Sequence, residues 1–414
     1  MKKLILVLFV LSFVLAPVMA GGGQAPASSG SRGKINVELW HYQTSVTAEY
    51  LENVIRQYNG LANAPINIDP QYLPRNELLR RYALGVVSNE LPEIGFVDNP
   101  DSASFAAMGM WLDITSRTAA LPNPRFLDGP LNSGKLNGRQ FTLPMRSNCL
   151  ALWSNDRIMQ AAGITSMPQT WDDLLTVCAT LKRTNPNVYP LAFCAMKTEE
   201  GTFQFLPWLL STGATWDTLD SPDAVKAFAF YKTLADNGYI SPEVINWTQN
   251  DVQKQFASGN AAMMINGSWH IATMLVDDPN LKYTISNVPR DKQFATSLGG
   301  ENIGMTKAAA GKEDQVWDFI RWFLSLEINV PYNTNLATLS PNLAATNQYP
   351  GNPIWAAFEE QIKFAVARGP HPKWPELSDA VQEAIQETLT GAKTADRASA
   401  DASVKIRQIN ASVR

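Results

Sequence analysis

The sequence has few of the residues and motifs from which metal and catalytic sites are built. Its 414 residues include only three histidines, and none stands at the HxxxH spacing of a metal-binding pair. No GxSxG serine motif occurs. The segment 129–135 fits the GxxxxGK phosphate loop, but Leu136 replaces the hydroxyl residue that holds Mg²⁺, and Pro130 lies inside the loop. We therefore expect no metal, no cofactor and no enzyme activity.

Cysteine is equally scarce, with Cys149, Cys178 and Cys194 as the only three. Cys178 lies on a predicted helix and Cys194 near the end of the next predicted strand. In an oxidising compartment these two could form a disulfide. Three buried free thiols are the alternative, and the sequence leaves both open.

Excess positive charge is also missing, since the formal net charge is −4. A nucleic-acid partner is not expected, because binding phosphates requires a positive surface. Among the aromatic residues, the twelve tryptophans are the most distinctive. Tryptophan is large, rigid and amphipathic, so a surplus often lines a binding surface.

The N-terminus carries the one apolar run that requires explanation. Lys2 and Lys3 precede the uncharged segment 4–16, and Val18-Met19-Ala20 follows with small residues at its first and last positions. This order predicts a secretory signal peptide over residues 1–20 rather than a membrane span, which needs about 20 apolar residues. No cysteine follows the run, so we expect no lipid anchor and a periplasmic protein. Residues 21–33 contain no large apolar side chain and predict a flexible leader.

Hydrophobic periodicity predicts two α/β domains. Residues 35–97 alternate as β-α-β-α-β, which is typical of a parallel, doubly wound sheet. The alternation returns from residue 150, and the chain is too long for one domain of typical size. In the second part, helices are predicted at 171–181, 223–237, 313–326 and 355–367, among others.

Ligands of open parallel sheets bind beyond the carboxyl ends of the strands. At three or more predicted strand ends the chain carries an aromatic, a carboxylate or an amide side chain. The candidate ligand-binding residues at these ends are Trp40, His41, Gln43, Asp98, Asn99, Trp269, Gly300 and Glu301. An aromatic ring covers the apolar face of a sugar, while carboxylates and amides bind its hydroxyls. This mixture favours a sugar site.

Alternatives remain at these positions. Trp40 and Trp269 could equally cap the hydrophobic core. Asp98 and Glu301 could be the carboxylate pair of a secreted glycosidase. Carboxylates are also needed for plain sugar binding, so the pair alone does not decide between the two.

Several segments resemble the extracellular solute-binding proteins of carbohydrate ABC importers, the group that includes maltose-binding protein. The block 256–269, which reads FASGNAAMMINGSW, carries the resemblance most specifically. Further similar segments are LNGRQFTLPMRSNCLALWSNDRI at 136–158, PQTWDD at 168–173, LGGENI at 298–303 and ARGP at 367–370. Two departures from the family pattern, Arg146-Ser147 and the insertion of Gly369, leave the identity of the ligand open.

The resemblance implies a two-lobed periplasmic-binding-protein fold of type II, with mainly parallel sheets and a hinge. We expect an N-terminal lobe at 34–147 plus 299–345 and a C-terminal lobe at 148–298 plus 346–414. It implies a monomer that captures a mono- to oligosaccharide between the lobes and delivers it to an ABC importer permease. Trp269 falls on the position of the sugar-stacking tryptophan, and Arg146 and Asn148 complete the predicted ligand-binding set. A non-sugar solute is the remaining alternative, for which Arg146 would be the cation near a phosphate.

Overall fold

The computed structural model describes residues 34–121, 125–345 and 348–413. The predicted signal peptide and leader therefore lie outside the described residues. Within the described ranges, no helix combines the length and apolar character needed to cross a membrane.

The first part of the chain forms the predicted β-α-β-α-β unit. Its elements are β1 (Ile35–His41), α1 (Ser45–Asn59), β2 (Ile66–Tyr72), α2 (Arg75–Ser88) and β3 (Ile94–Asp98). Strand β1 pairs in parallel with both β2 and β3. Alternate residues of β1, such as Val37 and Leu39, are buried, which explains why the period-2 pattern located this strand correctly.

The chain then completes one sheet and builds a second. The elements that follow, in order, are α3 (Asp101–Ala107), α4 (Thr115–Ala119), α5 (Asp128–Ser133), β4 (Lys135–Leu136), β5 (Arg139–Gln140), β6 (Thr142–Pro144), β7 (Asn148–Asn155), α6 (Asp156–Ala161), α7 (Trp171–Thr184), β8 (Tyr189–Ala192), α8 (Glu199–Ser211), α9 (Pro222–Asp236), α10 (Gln249–Ala257), β9 (Ala261–Gly267), α11 (His270–Asp277), β10 (Tyr283–Ser286) and β11 (Thr296–Gly299).

The last part of the chain returns to the first sheet and ends on the second. Its elements are β12 (Glu301–Met305), α12 (Glu313–Phe323), α13 (Leu326–Asn335), α14 (Pro353–Gln361), β13 (Ala365–Ala367), α15 (Trp374–Thr390) and α16 (Ala395–Ala411). Short 3₁₀ helices occur at Trp216–Thr218, Pro242–Ile245, Lys307–Ala309 and Ile362–Phe364.

Two main sheets result, and each carries its own hydrophobic core. The first has the strand order β2-β1-β3-β12-β6, and the second has β13-β11-β7-β9-β8 with β10 beside β7. We call the first sheet with its helices lobe 1 and the second sheet with its helices lobe 2. The chain crosses between the lobes after β6, after β11 and after α13. The predicted residue boundaries of the lobes remain a proposal.

The α/β class and two-lobed fold are confirmed, but the expectation of mainly parallel sheets was wrong in detail. In lobe 1, β12 pairs antiparallel with both β3 and β6. In lobe 2, β7 pairs antiparallel with β9, β10 and β11. A parallel neighbour requires a crossover connection, usually a helix. Strands β7 and β12 instead arrive directly from the other lobe, so nothing requires them to run parallel.

Helix boundaries follow the capping signals closely. Thr170 accepts a hydrogen bond from the amide of Asp173 and forms a capping box at the start of α7. Ser221 accepts from the amide of Ala224, with Pro222 in the first helical position of α9. The predicted helix 313–326 corresponds to α12, which ends at Phe323, whereas α13 was not predicted. The predicted helix 355–367 ends early, at Gln361, and is followed by a 3₁₀ helix and β13.

The three cysteines are free and buried, so Cys178 and Cys194 are not joined. Of the two alternatives, three free thiols is the one the structure has. Burial raises the pKa of each thiol well above its ordinary value. These groups are therefore unreactive in the folded protein.

Candidate ligand-binding cleft

A cavity of about 210 Å³ lies where the two lobes meet. From lobe 1 and the crossing segments, its wall includes Tyr42, Arg75, Asp98, Arg146, Gly300 and Glu301. From lobe 2, it includes Asn148, Glu199, Glu200, Phe203, Gln249, Trp269, Gly299 and Arg368. Six predicted site residues, Asp98, Arg146, Asn148, Trp269, Gly300 and Glu301, are thus brought together.

The carboxylate of Asp98, at the end of β3, is held by two arginines. Arg368 donates from Nη2 to Oδ1 at 2.8 Å and from Nη1 to Oδ2 at 3.1 Å, which is a bidentate pair. Arg75 donates to Oδ2 at 3.4 Å and to Asp101 at 3.1 Å. Burial raises the pKa of Asp101 well above its usual range. Asp98 is therefore fixed in place at the cavity wall.

Glu301, the first residue of β12, is held in the same way from the crossing segment after β6. Arg146 donates to both of its carboxylate oxygens. The hydroxyl of Tyr42 donates to Oε1 at 3.2 Å. Burial, together with the negative charge of Glu301, raises the pKa of this phenol well above its ordinary value. Asp98 and Glu301 lie opposite each other in the β3–β12 register. Both carboxylates are thus paired with guanidinium groups.

The apolar part of the wall comes from lobe 2. The half-buried ring of Trp269 lies 6.2 Å from the buried ring of Phe203, measured between centroids and tilted by 40°. Gly267 makes this ring position possible, because a Cβ there would lie 1.9 Å from Cζ3 of Trp269. The guanidinium of Arg368 lies over the other aromatic ring, 4.4 Å from the centroid of Phe203.

Two carboxylates stand in the first turn of α8, where the helix dipole favours negative charge. Glu199 accepts from Arg368 at 2.7 Å and from the indole of Trp374 at 3.0 Å. Glu200 accepts from the amide of Gln249 at 2.8 Å. The cavity wall thus carries three guanidinium groups and four carboxylates. Among the described residues, no group of three or more His, Cys, Asp or Glu is arranged to hold a metal ion.

Four predicted site residues do not line this cavity. Trp40 stacks on Tyr82 at 5.7 Å within lobe 1. His41 is buried, and its Nδ1 accepts from the amide of Gln43. Gln43 is also buried. Asn99 lies just behind the wall, where it accepts from Arg368 at 3.1 Å. The aromatic residue that lines the cavity in this region is Tyr42, which directly follows β1.

The sequence-based set lacked most of the lining residues of lobe 2, and Tyr42 and Arg75 of lobe 1. Arg75 and Glu199 each open a helix a few residues after a strand end, so the strand-end rule could have located them. Arg368 follows β13, within a segment that resembles the family. The incorrect helix over 355–367 concealed that strand end.

Comparison with known proteins identifies the family. The family described as bacterial extracellular solute-binding protein matches residues 53–358. The chain belongs to this family. Its members are binding proteins rather than enzymes.

Similar proteins cover nearly the whole chain at low identity. A putative binding protein of Brucella abortus (strain 2308) is 23% identical over 391 residues, or 92% of this chain and 94% of that protein. The maltotriose-binding protein of Pyrococcus abyssi is 21% identical, over 88% of this chain and 80% of its own. An ABC transporter solute-binding protein from Thermotoga lettingae, solved with α-D-tagatose, superposes with a TM-score of 0.82 at 22% identity, covering 91% and 100%.

Proposed function

We propose that this protein captures a sugar between its lobes and presents it to the permease of an ABC importer. One observation carries the proposal: a tryptophan face and several fixed carboxylates line one cavity and come from both lobes. Trp269 supplies the apolar surface for a pyranose ring. Asp98 and Glu301 supply charge-assisted acceptors for its hydroxyls.

The names of similar proteins support the same ligand class. The Pyrococcus abyssi relative is a maltotriose-binding protein, and the Thermotoga lettingae structure holds α-D-tagatose. The first name specifies a trisaccharide and the second a monosaccharide, so they support a sugar as the class rather than any single sugar.

Capture follows from the position of the wall residues. A ligand that touches Asp98 on lobe 1 and Trp269 on lobe 2 makes both sets of contacts only when the lobes are closed. It therefore shifts the equilibrium toward the closed conformation. Export through the signal peptide over residues 1–20, with cleavage after Ala20, would place the monomeric protein in the periplasm. Mass spectrometry of the exported protein tests this cleavage.

The decisive experiment combines a sugar panel with one substitution. Isothermal titration against mono- and oligosaccharides should yield at least one binder. Trp269→Ala should then weaken that binder by about 30-fold, because a stacking contact and buried apolar area worth about 2 kcal/mol are lost. Trp322→Ala is the matched control: Trp322 is also half-buried, but it packs on Tyr58 in lobe 1 at 5.1 Å.

Two outcomes would contradict the proposal. If Trp269→Ala and Trp322→Ala bind the best sugar equally well, the cavity is not the site. If no sugar binds, the ligand class is wrong. The protein is also proposed not to be an enzyme, since Asp98 and Glu301 are each paired with arginine. Incubation with the bound sugar should therefore release no cleavage products.

A further inference from the structure

We propose that Arg368 is a positioning residue that joins the two lobes across the cleft and favours the closed conformation before any ligand arrives. The inference uses the two-lobed architecture but not the identity of the ligand, so it can be tested without one.

Arg368 is anchored in lobe 2. It directly follows β13, which pairs with β11 in the second sheet. Its guanidinium lies over Phe203 and donates to Glu199 at 2.7 Å, and both of these residues belong to α8. Contacts within lobe 2 alone therefore hold the guanidinium in position.

Its remaining bonds cross to lobe 1. They end on both oxygens of Asp98, at 2.8 and 3.1 Å, and on Oδ1 of Asn99, at 3.1 Å. The side chain of Arg368 is only 3% exposed. Exposed ion pairs contribute little to stability, whereas a buried, bidentate arginine–carboxylate pair adds two charge-assisted hydrogen bonds in a fixed geometry. Closing the lobes gains these cross-lobe bonds, so the pair favours the closed conformation.

The same contacts make the pair reversible. If the lobes separate, Asp98 keeps Arg75 from its own lobe, and Arg368 keeps Glu199 from its own lobe. Neither charge is left without a partner in the open conformation. Opening therefore loses the cross-lobe bonds without the full penalty of an unpaired buried charge.

This arrangement has a consequence for binding. The apparent dissociation constant equals the intrinsic constant divided by the fraction of molecules that are already competent to bind. A pair that raises the closed fraction in the free protein tightens binding of any ligand that needs both lobes, even where it makes no contact with that ligand.

The test compares two arginines that share one partner. Arg368→Gln removes the cross-lobe pair with Asp98, whereas Arg75→Gln removes a pair with the same carboxylate inside lobe 1. Nitroxide labels are attached at Val87→Cys in lobe 1 and Val276→Cys in lobe 2, two positions that are 82% and 77% exposed. The native thiols are buried and should remain unlabelled.

Without ligand, double electron–electron resonance should show a population of molecules at closed-lobe distances in the parent. Arg368→Lys should show the same population at a smaller size. Arg368→Gln should lose it, with a larger radius of gyration by X-ray scattering, while Arg75→Gln should keep it. Asp98→Asn, which removes the other half of the pair, should behave like Arg368→Gln and serves as the second variant if Arg368→Gln does not fold.

Unchanged distances in both Arg368→Gln and Asp98→Asn would overturn the inference. So would an equal loss of the closed population in Arg75→Gln. If no sugar binds but the variants still show the expected distance changes, the proposed function is contradicted while the inference about Arg368 stands.

Discussion

At the scale of single residues, the ring of Trp269 depends on a glycine two positions before it. Gly267→Ala would place a Cβ inside the present ring position, so the indole must move away from the cavity wall. We expect Gly267→Ala to weaken sugar binding by roughly tenfold, part of the stacking contribution.

A double-mutant cycle separates this effect from general damage. In a Trp269→Ala background, Gly267→Ala should change the dissociation constant by less than about twofold, because the ring that it displaces is already absent. Full additivity of the two changes, measured by titration calorimetry, would contradict the link between them.

A second residue-scale prediction concerns acid. His270 is buried and its Nε2 has no partner among the described residues, and burial lowers its pKa from 6.5 to about 3. Because the folded pKa is depressed, the stability held at neutral pH is lost as pH falls below 6.5. The loss is roughly 1.4 kcal/mol per pH unit, or about 2 kcal/mol between pH 6.5 and pH 5.

Urea unfolding at pH 7 and at pH 5 measures this loss. His270→Asn should be less stable than the parent at pH 7 but should lose about 2 kcal/mol less on acidification. His41, whose pKa burial lowers to about 4, adds an acid sensitivity that both proteins share. Parallel losses in the parent and the variant would show that His270 does not titrate in this range.

At the scale of elements, one glycine makes the direct passage from β11 to β12 possible. Gly300 has φ of +133°, and a Cβ there would lie 2.1 Å from the carbonyl oxygen of Arg146. Gly300→Ala should therefore lower the free energy of unfolding by about 2 kcal/mol or more, since a backbone segment must shift. It should also disturb the Arg146–Glu301 pair.

Gly311→Ala is the control for this prediction. Gly311 also has a positive φ, +82°, but a Cβ added there would meet nothing within 4 Å. It should lose only the smaller cost of an unfavourable φ, about 1 kcal/mol. Equal losses for both variants in urea unfolding would mean that the close approach to Arg146 carries no cost.

Elements with regular periodicity were predictable, and those without it were not. The alternation of Val37 and Leu39 and the caps of α7 and α9 act locally, so the sequence located them. Helix α8 was missed because residues 201–211 are buried on all sides and include Pro207, which removes the amphipathic signal. Helix α13 was not predicted, because Pro331 lies inside it and its apolar residues follow no helical period.

The candidate site likewise contains some residues that the sequence could predict and others that it could not. Asp98 and Trp269 were predictable because the carboxyl ends of strands converge by geometry alone. Glu301 instead begins β12, and it reaches the same edge because β12 runs antiparallel to β3. Trp40 was misplaced because a strand-end position does not say which face a side chain takes, and this ring packs on Tyr82. Arg368 meets Asp98 across 270 positions of sequence, a contact that depends on how the lobes pack.

At the scale of the whole molecule, binding should register in both lobes at once. A sugar at 100 times its dissociation constant should raise the free energy of unfolding by about 2.7 kcal/mol, provided that it does not bind the unfolded chain. Hydrogen exchange should slow at the end of β3, residues 94–101, and at the end of β9, residues 263–270. Helix α7, residues 171–184, contributes nothing to the cavity wall and should exchange as before.

The pattern of hydrogen-exchange protection distinguishes capture by lobe closure from binding to the surface of a single lobe. Because Asp98 and Trp269 lie on different lobes, a ligand that closes the cleft must protect both strand ends. Protection at residues 263–270 alone would mean that the sugar docks on lobe 2 without lobe 1. In Arg368→Gln, both segments should exchange faster than in the parent before sugar is added, and saturating sugar should reduce that difference, because the ligand then supplies the contacts that join the lobes.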